Sequence, residues 1–327
     1  MTASAASPNA SDPALRMGQC AGAVMMIRPA SFGWNAETQG SNRFQSRAAV
    51  PGRLAADLAR AEFDALAGAL RDAGVVVHAF ADRAEPVCPD AVFPNNWVSF
   101  HADGTAVLYP MLAPSRRLER RPELLQQLAD RNAFDLSRVV DLTQFEDTGE
   151  HLEGTGSLVL DRVGRVAYAC LSPRTHRGPL EAFCARLGYE PFAFEATDAA
   201  GIPVYHTNVV LSLGSALAIV AISNVVADDR QRLLSRLSAG GRHVECIDTG
   251  QTTNFAANAL ELRDAAAASV LAMSARAWAS FSPDARARLA SCVDRRVIVP
   301  IPTIEALGGG SVRCMLAEVF NPPGEAG

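Results

Sequence analysis

Lysine is missing from this 327-residue chain, so all 30 of its basic residues are arginine. Without an ε-amine, Schiff-base, pyridoxal-phosphate, Walker A and Ser-Lys chemistries are excluded. Close cysteine pairs are also missing. The seven thiols (Cys20, Cys88, Cys170, Cys184, Cys246, Cys292, Cys314) come no nearer than fourteen positions to one another. That spacing leaves no CxxC knuckle or redox pair, and the odd number suits reduced cytoplasmic thiols. HExxH is absent and the six histidines are scattered, so neither a metal nor any other cofactor is expected. The longest uninterrupted apolar run, 216–222, is far short of the roughly 20 residues that span a bilayer. Residues 1–21 lack the basic-then-apolar order of a signal peptide and read as a flexible tail. Net charge is −5 with no basic stripe, which argues against a nucleic-acid partner.

What is present is ordinary globular material, 49% apolar and 20% charged, with a recurring order of strand, tight turn, strand, helix, strand. Strands are predicted over 92–101 and 105–111 about Ala102-Asp103-Gly104. A helix through Leu124, Leu125 and Leu128 and a strand over 139–142 follow. The second copy has strands over 157–160 and 166–171, a helix from about Thr175 stopped by Gly188, and a strand near Pro191. The third has 204–213, 216–222, a helix with Leu233, Leu234 and Leu237, and 243–247. The fourth has 257–262, 269–273, a helix opened by Ser282-Pro283-Asp284, and 297–301. The fifth needs both chain ends: strands over 311–320 and 23–28, a helix stripe of Leu54, Leu58, Leu66 and Leu70, and a strand over 75–80. Because the two ends complete one module, a closed circle of five ββαβ units is favoured over a linear array or two domains. A single α/β domain over 22–327 is expected after the tail.

The start of each unit's first strand carries a polar or nucleophilic residue: Asn95-Asn96, Glu153, His206, Asn254 or Asn258, and Cys314. In a circle these would face one cavity. A thiol, an imidazole that titrates near neutral pH and a carboxylate are the parts of a cysteine hydrolase. Gly308-Gly309-Gly310 lets backbone approach a ligand ahead of Cys314, and Arg313 is placed to favour its thiolate. The other six cysteines read as inert. The run Gly154-Thr155-Gly156-Ser157 imitates a dinucleotide loop but lacks its third glycine.

At these residues the sequence resembles the guanidino-group-modifying (amidinotransferase) superfamily, and within it the citrulline utilisation hydrolases. The likeness rests on MMIRPASFGWN (25–35), VFPNNWVSFH (92–101), YPMLAPSRRLERRPE (109–123), HLEGTGSLVLDR (151–162), LSPRT (171–175), VYHTNVVLSLG (204–214), TNFAANALEL (253–262) and GGGSVRCM (308–315). Together they cover the chain from about residue 23 to its end. The resemblance implies a five-bladed pseudosymmetric α/β propeller of ββαβ modules, closed by the N- and C-terminal segments. It also implies that Cys314 is the nucleophile, His206 the acid and base, and Glu153 an acceptor for substrate NH groups. Arg116 or Arg117, together with Arg174, would bind a substrate carboxylate.

Arginine deiminases carry an acid in the segment where this chain has Asn95-Asn96. A neutral amide both donates and accepts, which suits the ureido group of citrulline. Asn208, where deiminases have Asp, again removes a charge, and Asn42 is a further expected contact. Asp90 would restore negative charge to the pocket and oppose this argument. The expected reaction is citrulline to ornithine, ammonia and carbon dioxide. The alternatives are an arginine dihydrolase or deiminase, a dimethylarginine hydrolase, an amidinotransferase, or an inactive propeller that binds an amino acid or a protein partner. The expected partner is a small amino-acid substrate; a homo-oligomer stays open.

Overall fold

In this computed structural model, residues 13–46, 52–239 and 241–320 are described. They form a mixed α/β fold with five separate three-stranded sheets. In four of them the strands follow chain order: Val98–Phe100, Thr105–Leu108 and Arg138–Asp141; Val159–Asp161, Val166–Cys170 and Glu190–Phe194; Leu211–Leu213, Leu217–Val220 and His243–Cys246; Leu260–Arg263, Ser269–Ser274 and Arg295–Val299. The fifth joins the two ends of the chain. Ala317–Val319 runs antiparallel to Ala23–Arg28 with Ala23 opposite Val319, and Val76–Ala81 lies parallel on the other side.

Every middle strand is antiparallel to the first strand of its sheet and parallel to the last. A parallel partner needs a crossover, and a helix supplies it each time: Glu123–Asp130, Arg177–Leu187, Ala227–Ser238, Pro283–Ser291 and Gly52–Asp72. The middle strands are buried almost throughout, so they read as continuous apolar runs such as Leu-Ala-Ile-Val at 217–220. Ser282 caps its helix by accepting from the Ala285 amide, and Gly188, at φ 69°, ends Arg177–Leu187.

Three sequence expectations need correction. The stripe on Gly52–Asp72 is not the leucine row: Leu54 and Leu58 are exposed, while Ala55, Ala59, Phe63, Leu66 and Leu70 are buried. Alanine carries little apolar signal, yet its small size lets this helix lie close to Val297 and Val299 of the neighbouring sheet. Secondly, the first strands begin later than predicted, because a single helical turn precedes four of them: Pro94–Asn96, Gly154–Ser157, Thr207–Val210 and Val312–Met315. Gly154–Ser157 packs against both Pro94–Asn96 and Thr207–Val210, and Pro94–Asn96 packs against Val312–Met315. Asn95, Asn96 and Cys314 lie in these turns, and Glu153 and His206 stand immediately before two of them. Thirdly, residues 1–12 of the expected tail lie outside the described residues, but Pro13–Gln19 is helical. Gln19 Nε2 donates to the Leu160 carbonyl at 2.9 Å, and Cys20 is buried. No helix among the described residues is long and apolar enough to cross a membrane.

Candidate active site

A narrow cleft with about 270 Å³ of space, part of it open to solvent, lies where the helical turns meet, and both Cys314 and His206 line it. Cys314 lies within the turn Val312–Met315, and His206, with extended backbone, caps the start of Thr207–Val210.

His206 Nε2 is 2.8 Å from Oε2 of Glu153, which is fully shielded from solvent. An ionised carboxylate can only accept, so Nε2 carries the hydrogen and Nδ1 keeps its lone pair. Arg174 Nη1 donates to the same Oε2 at 3.3 Å, Arg116 Nη1 stands 3.8 Å away, and the Leu112 amide donates to Oε1 at 3.1 Å. Burial alone would raise the Glu153 carboxyl. Arg174, the His206 hydrogen bond and Arg116 outweigh it and hold the group far below the usual carboxylate range. Burial pushes the His206 imidazole down to about 4 despite Glu153 pulling it up, so the ring is neutral at pH 7. Glu153 therefore positions the imidazole, and it is fully buried and does not line the cleft. The expectation that it meets substrate NH groups is not supported by this geometry.

Gly156 explains the dinucleotide-like run. A Cβ there would stand 2.4 Å from Asn96 Nδ2 and 2.8 Å from Cε1 and Nδ1 of His206, so a hydrogen at this position lets the imidazole and the amide approach.

Cys314 is buried, and two amides donate to its sulfur: Asn258 Nδ2 at 3.3 Å and Asn208 Nδ2 at 3.6 Å. Asn258 Oδ1 also accepts the Arg313 amide at 3.0 Å, which locks the asparagine to the nucleophile's own turn. The Arg313 side chain pairs with Glu318 at 2.8 Å and donates to the Leu316 carbonyl, so the Cys314 thiol shares its charge with that carboxylate.

Of the expected substrate contacts, Asn42, Asp90, Asn96, Arg116 and Arg174 line the cleft. Asn95, Arg117 and Asn208 do not. Asn95 is wholly buried beside the Gly154 turn. Arg117 donates to the Met111 carbonyl and pairs with Glu146 at 3.3 Å. Asn208 faces the sulfur. Between Arg116 and Arg117, Arg116 points inward, but Glu119 takes its fork at 2.9 and 2.8 Å, while its Nη1 donates to Asn96 Oδ1 at 2.8 Å. Arg174 donates to Ser41 Oγ at 2.7 Å and to the Thr38 carbonyl at 3.3 Å. Asp90 Oδ2 accepts from Asn35 at 2.8 Å, whereas the buried Oδ1 has no partner among the described residues; nor has Asn96 Nδ2.

Thr38, Gln45, Phe93 and Tyr205 also line the cleft and carried no signal in the sequence. Tyr205 donates to the Gly309 carbonyl at 2.5 Å, and Asn42 Nδ2 to the Gly308 and Gly309 carbonyls at 3.3 and 3.2 Å, strapping the segment around 38–45 over the glycines. Gly309 has φ 62°, where a Cβ would stand 2.8 Å from the Gln45 amide. Among the remaining thiols Cys246 is exposed. Among the described residues no three His, Cys, Asp or Glu side chains group as a metal site requires.

Comparison with known structures finds the same architecture. The N-terminal domain of ArgZ, an arginine dihydrolase from the ornithine-ammonia cycle in cyanobacteria, superposes with TM-score 0.69 at 18% identity, covering 92% of this chain and 98% of that one. An apo structure of ArgZ gives TM-score 0.68 at 18% identity, covering 92% of this chain and 41% of that longer one. A dimethylarginine dimethylaminohydrolase adduct with 4-chloro-2-hydroxymethylpyridine gives TM-score 0.61 at 16% identity, covering 90% and 98%. No curated protein matches the chain by sequence. Residues 28–321 match the family model described as N,N dimethylarginine dimethylhydrolase, eukaryotic. The chain thus belongs to the dimethylarginine dimethylhydrolase family, hydrolases of guanidino carbon–nitrogen bonds within the amidinotransferase superfamily.

Proposed function

We propose that the chain hydrolyses the guanidino group of an arginine-type amino acid. The observation that carries this reading is the cleft's composition: a thiol and a neutral imidazole line it together with a buried carboxylate oxygen of Asp90 that has no hydrogen-bond partner among the described residues. A guanidinium brings NH donors and a positive charge to that oxygen; the other oxygen already accepts from Asn35 and stands 3.8 Å from Arg116, and a buried oxygen left without a donor is costly.

In this reading Nδ1 of His206 takes the Cys314 proton and the thiolate attacks the planar guanidino carbon. The two asparagine amides at the sulfur stabilise the anion before attack. The same proton goes to the departing nitrogen, so the C–N bond breaks and a thiouronium ester remains. His206 then takes a proton from water, whose oxygen replaces sulfur and regenerates the thiol. Glu153 holds the ring in the required tautomer throughout. Arg174 binds the substrate α-carboxylate by exchanging the Ser41 hydroxyl for it. The five sheets stand as the blades of a closed propeller and act as one catalytic unit. Its place of action is the cytoplasm, which suits seven cysteines that are all free.

A second reading is favoured by Asn96, whose Nδ2, without a hydrogen-bond partner among the described residues, would donate to an oxygen that a guanidinium does not have. A ureido carbonyl supplies it. Citrulline would then be a substrate, or arginine would be carried through two hydrolyses to ornithine.

Arginine, dimethylarginine and citrulline assayed in parallel separate these. Citrulline formed from either guanidino compound, without ornithine, supports the first reading; ornithine formed from citrulline supports the second. No turnover of any of the three, together with no Cys314→Ser-sensitive adduct by intact mass, sinks both. Cys314→Ser itself should lose about 10⁴-fold or more in kcat.

A further inference from the structure

A second cleft, with about 950 Å³ of open space, lies on the other side of the strap that covers the catalytic cleft. Asn42 and Gln45 of that strap line the catalytic cleft, while the intervening Arg43 and Phe44 line the second cleft. Phe44 packs edge-on to Tyr205 at 5.7 Å and against Phe255 at 5.1 Å, so its ring is the partition between the two cavities.

The walls combine an apolar floor with charges of both signs. Phe44, Phe255 and Val204 form the floor. At its rim Arg43 and Asp198 approach only to 3.7 Å, too far for a hydrogen bond. Across from them Arg276 lies over the Phe255 ring at 5.8 Å. Its Nε and Nη2 are engaged by Asn254 and the Thr253 carbonyl, and its Nη1 has no partner among the described residues. Phe255 holds a left-handed backbone, φ 58°, which is rare for an aromatic residue. Its carbonyl accepts the amide of Asn258, the residue that donates to the Cys314 sulfur.

We infer that this cleft is a second ligand site for an α-amino acid with an apolar side chain, and that its occupancy holds the strap down over the catalytic cleft. The carboxylate takes the free edge of Arg276 together with Arg43, the ammonium takes Asp198, and the side chain lies on Phe44 and Phe255. Two connections then reach the catalytic groups: Phe44 bears on Tyr205, the neighbour of His206, and Phe255 bears on Asn258. An effector that favours the strapped state slows access to the thiol by its differential affinity for that state. The inference stands independently of which guanidino compound is the substrate.

L-phenylalanine is the probe, with 3-phenylpropionate and phenethylamine as analogues lacking one charge each. Calorimetric titration of the full chain is expected to show L-phenylalanine binding at least tenfold more tightly than either analogue. Arg276→Ala and Asp198→Asn should each weaken it tenfold or more. Saturating L-phenylalanine should slow iodoacetamide modification of Cys314 several-fold. Absence of L-phenylalanine binding, or an analogue that binds equally well, overturns the ligand assignment. Binding that both variants leave unchanged places the probe elsewhere and overturns the site. An unaltered modification rate at saturation overturns the link to the catalytic cleft.

Discussion

The imidazole of His206 and the carboxylate of Glu153, 53 positions apart in sequence, meet at 2.8 Å with neither open to solvent. The two residues stand immediately before the single-turn helices Gly154–Ser157 and Thr207–Val210, and the missing side chain at Gly156 leaves room for the imidazole.

The pair gives a signed pH dependence. An unfolded imidazole takes up its proton near 6.5, the folded one only near 4. Its contribution to stability is therefore complete above pH 6.5 and shrinks as pH falls toward 4. Burial pushes Glu119 the other way, up to about 7 against the pull of Arg116, so its contribution fades as pH rises. The raw curve mixes these with other buried groups, among them His101, which burial also pushes down. The stability of the native chain minus that of His206→Asn, from urea unfolding at several pH values, should fall between pH 6.5 and 4; a flat difference would contradict the buried neutral imidazole.

Gly156→Ala should leave the chain folded, at a cost of about 1–3 kcal/mol from overpacking. Because the added methyl displaces Asn96 and His206 together, kcat should drop about 10²-fold. Wild-type kcat in a variant of normal melting temperature would show that neither side chain had to move.

Asn258→Ala removes the nearer donor to the Cys314 sulfur and leaves the Arg313 amide without its acceptor. A charge-assisted hydrogen bond of this kind is worth about 1.5–3 kcal/mol. Modification of Cys314 by iodoacetamide at fixed pH should slow about tenfold or more, followed by peptide mass spectrometry. An unchanged rate would remove Asn258 from the nucleophile's support.

Asp90→Asn discriminates between charged and neutral substrates. Losing the carboxylate should lower kcat/KM for arginine-type substrates about 10²-fold, the scale of one buried charged contact. Any turnover of citrulline should persist, since its ureido group brings no charge. Equal losses on both would mean that Asp90 only supports Asn35 and the surrounding backbone.

Much of the repeat was legible because middle strands covered on both faces must be apolar throughout, and because glycine and capped prolines mark helix ends. The helical turns at the strand starts were not legible. Four residues such as Thr207–Val210 make one turn, too short for a 3.6-residue period to separate from a strand. Asn258 stood in sequence only as one of two candidates with Asn254, and nothing local distinguishes them. Asn254 Nδ2 donates to the Gly250 carbonyl at the surface, while Asn258 reaches the sulfur.

The sequence by itself determined which chemistry was available: no lysine, no metal-ligand spacing, and a thiol, an imidazole and a carboxylate at corresponding points of a repeating pattern. Tertiary structure decided their roles. Whether Glu153 meets substrate or histidine, whether Arg116 or Arg117 points inward, and whether Asp90 keeps an oxygen free depend on partners brought from other sheets. Burial and charge pairing act through distance in space, and no local pattern along the chain encodes that distance.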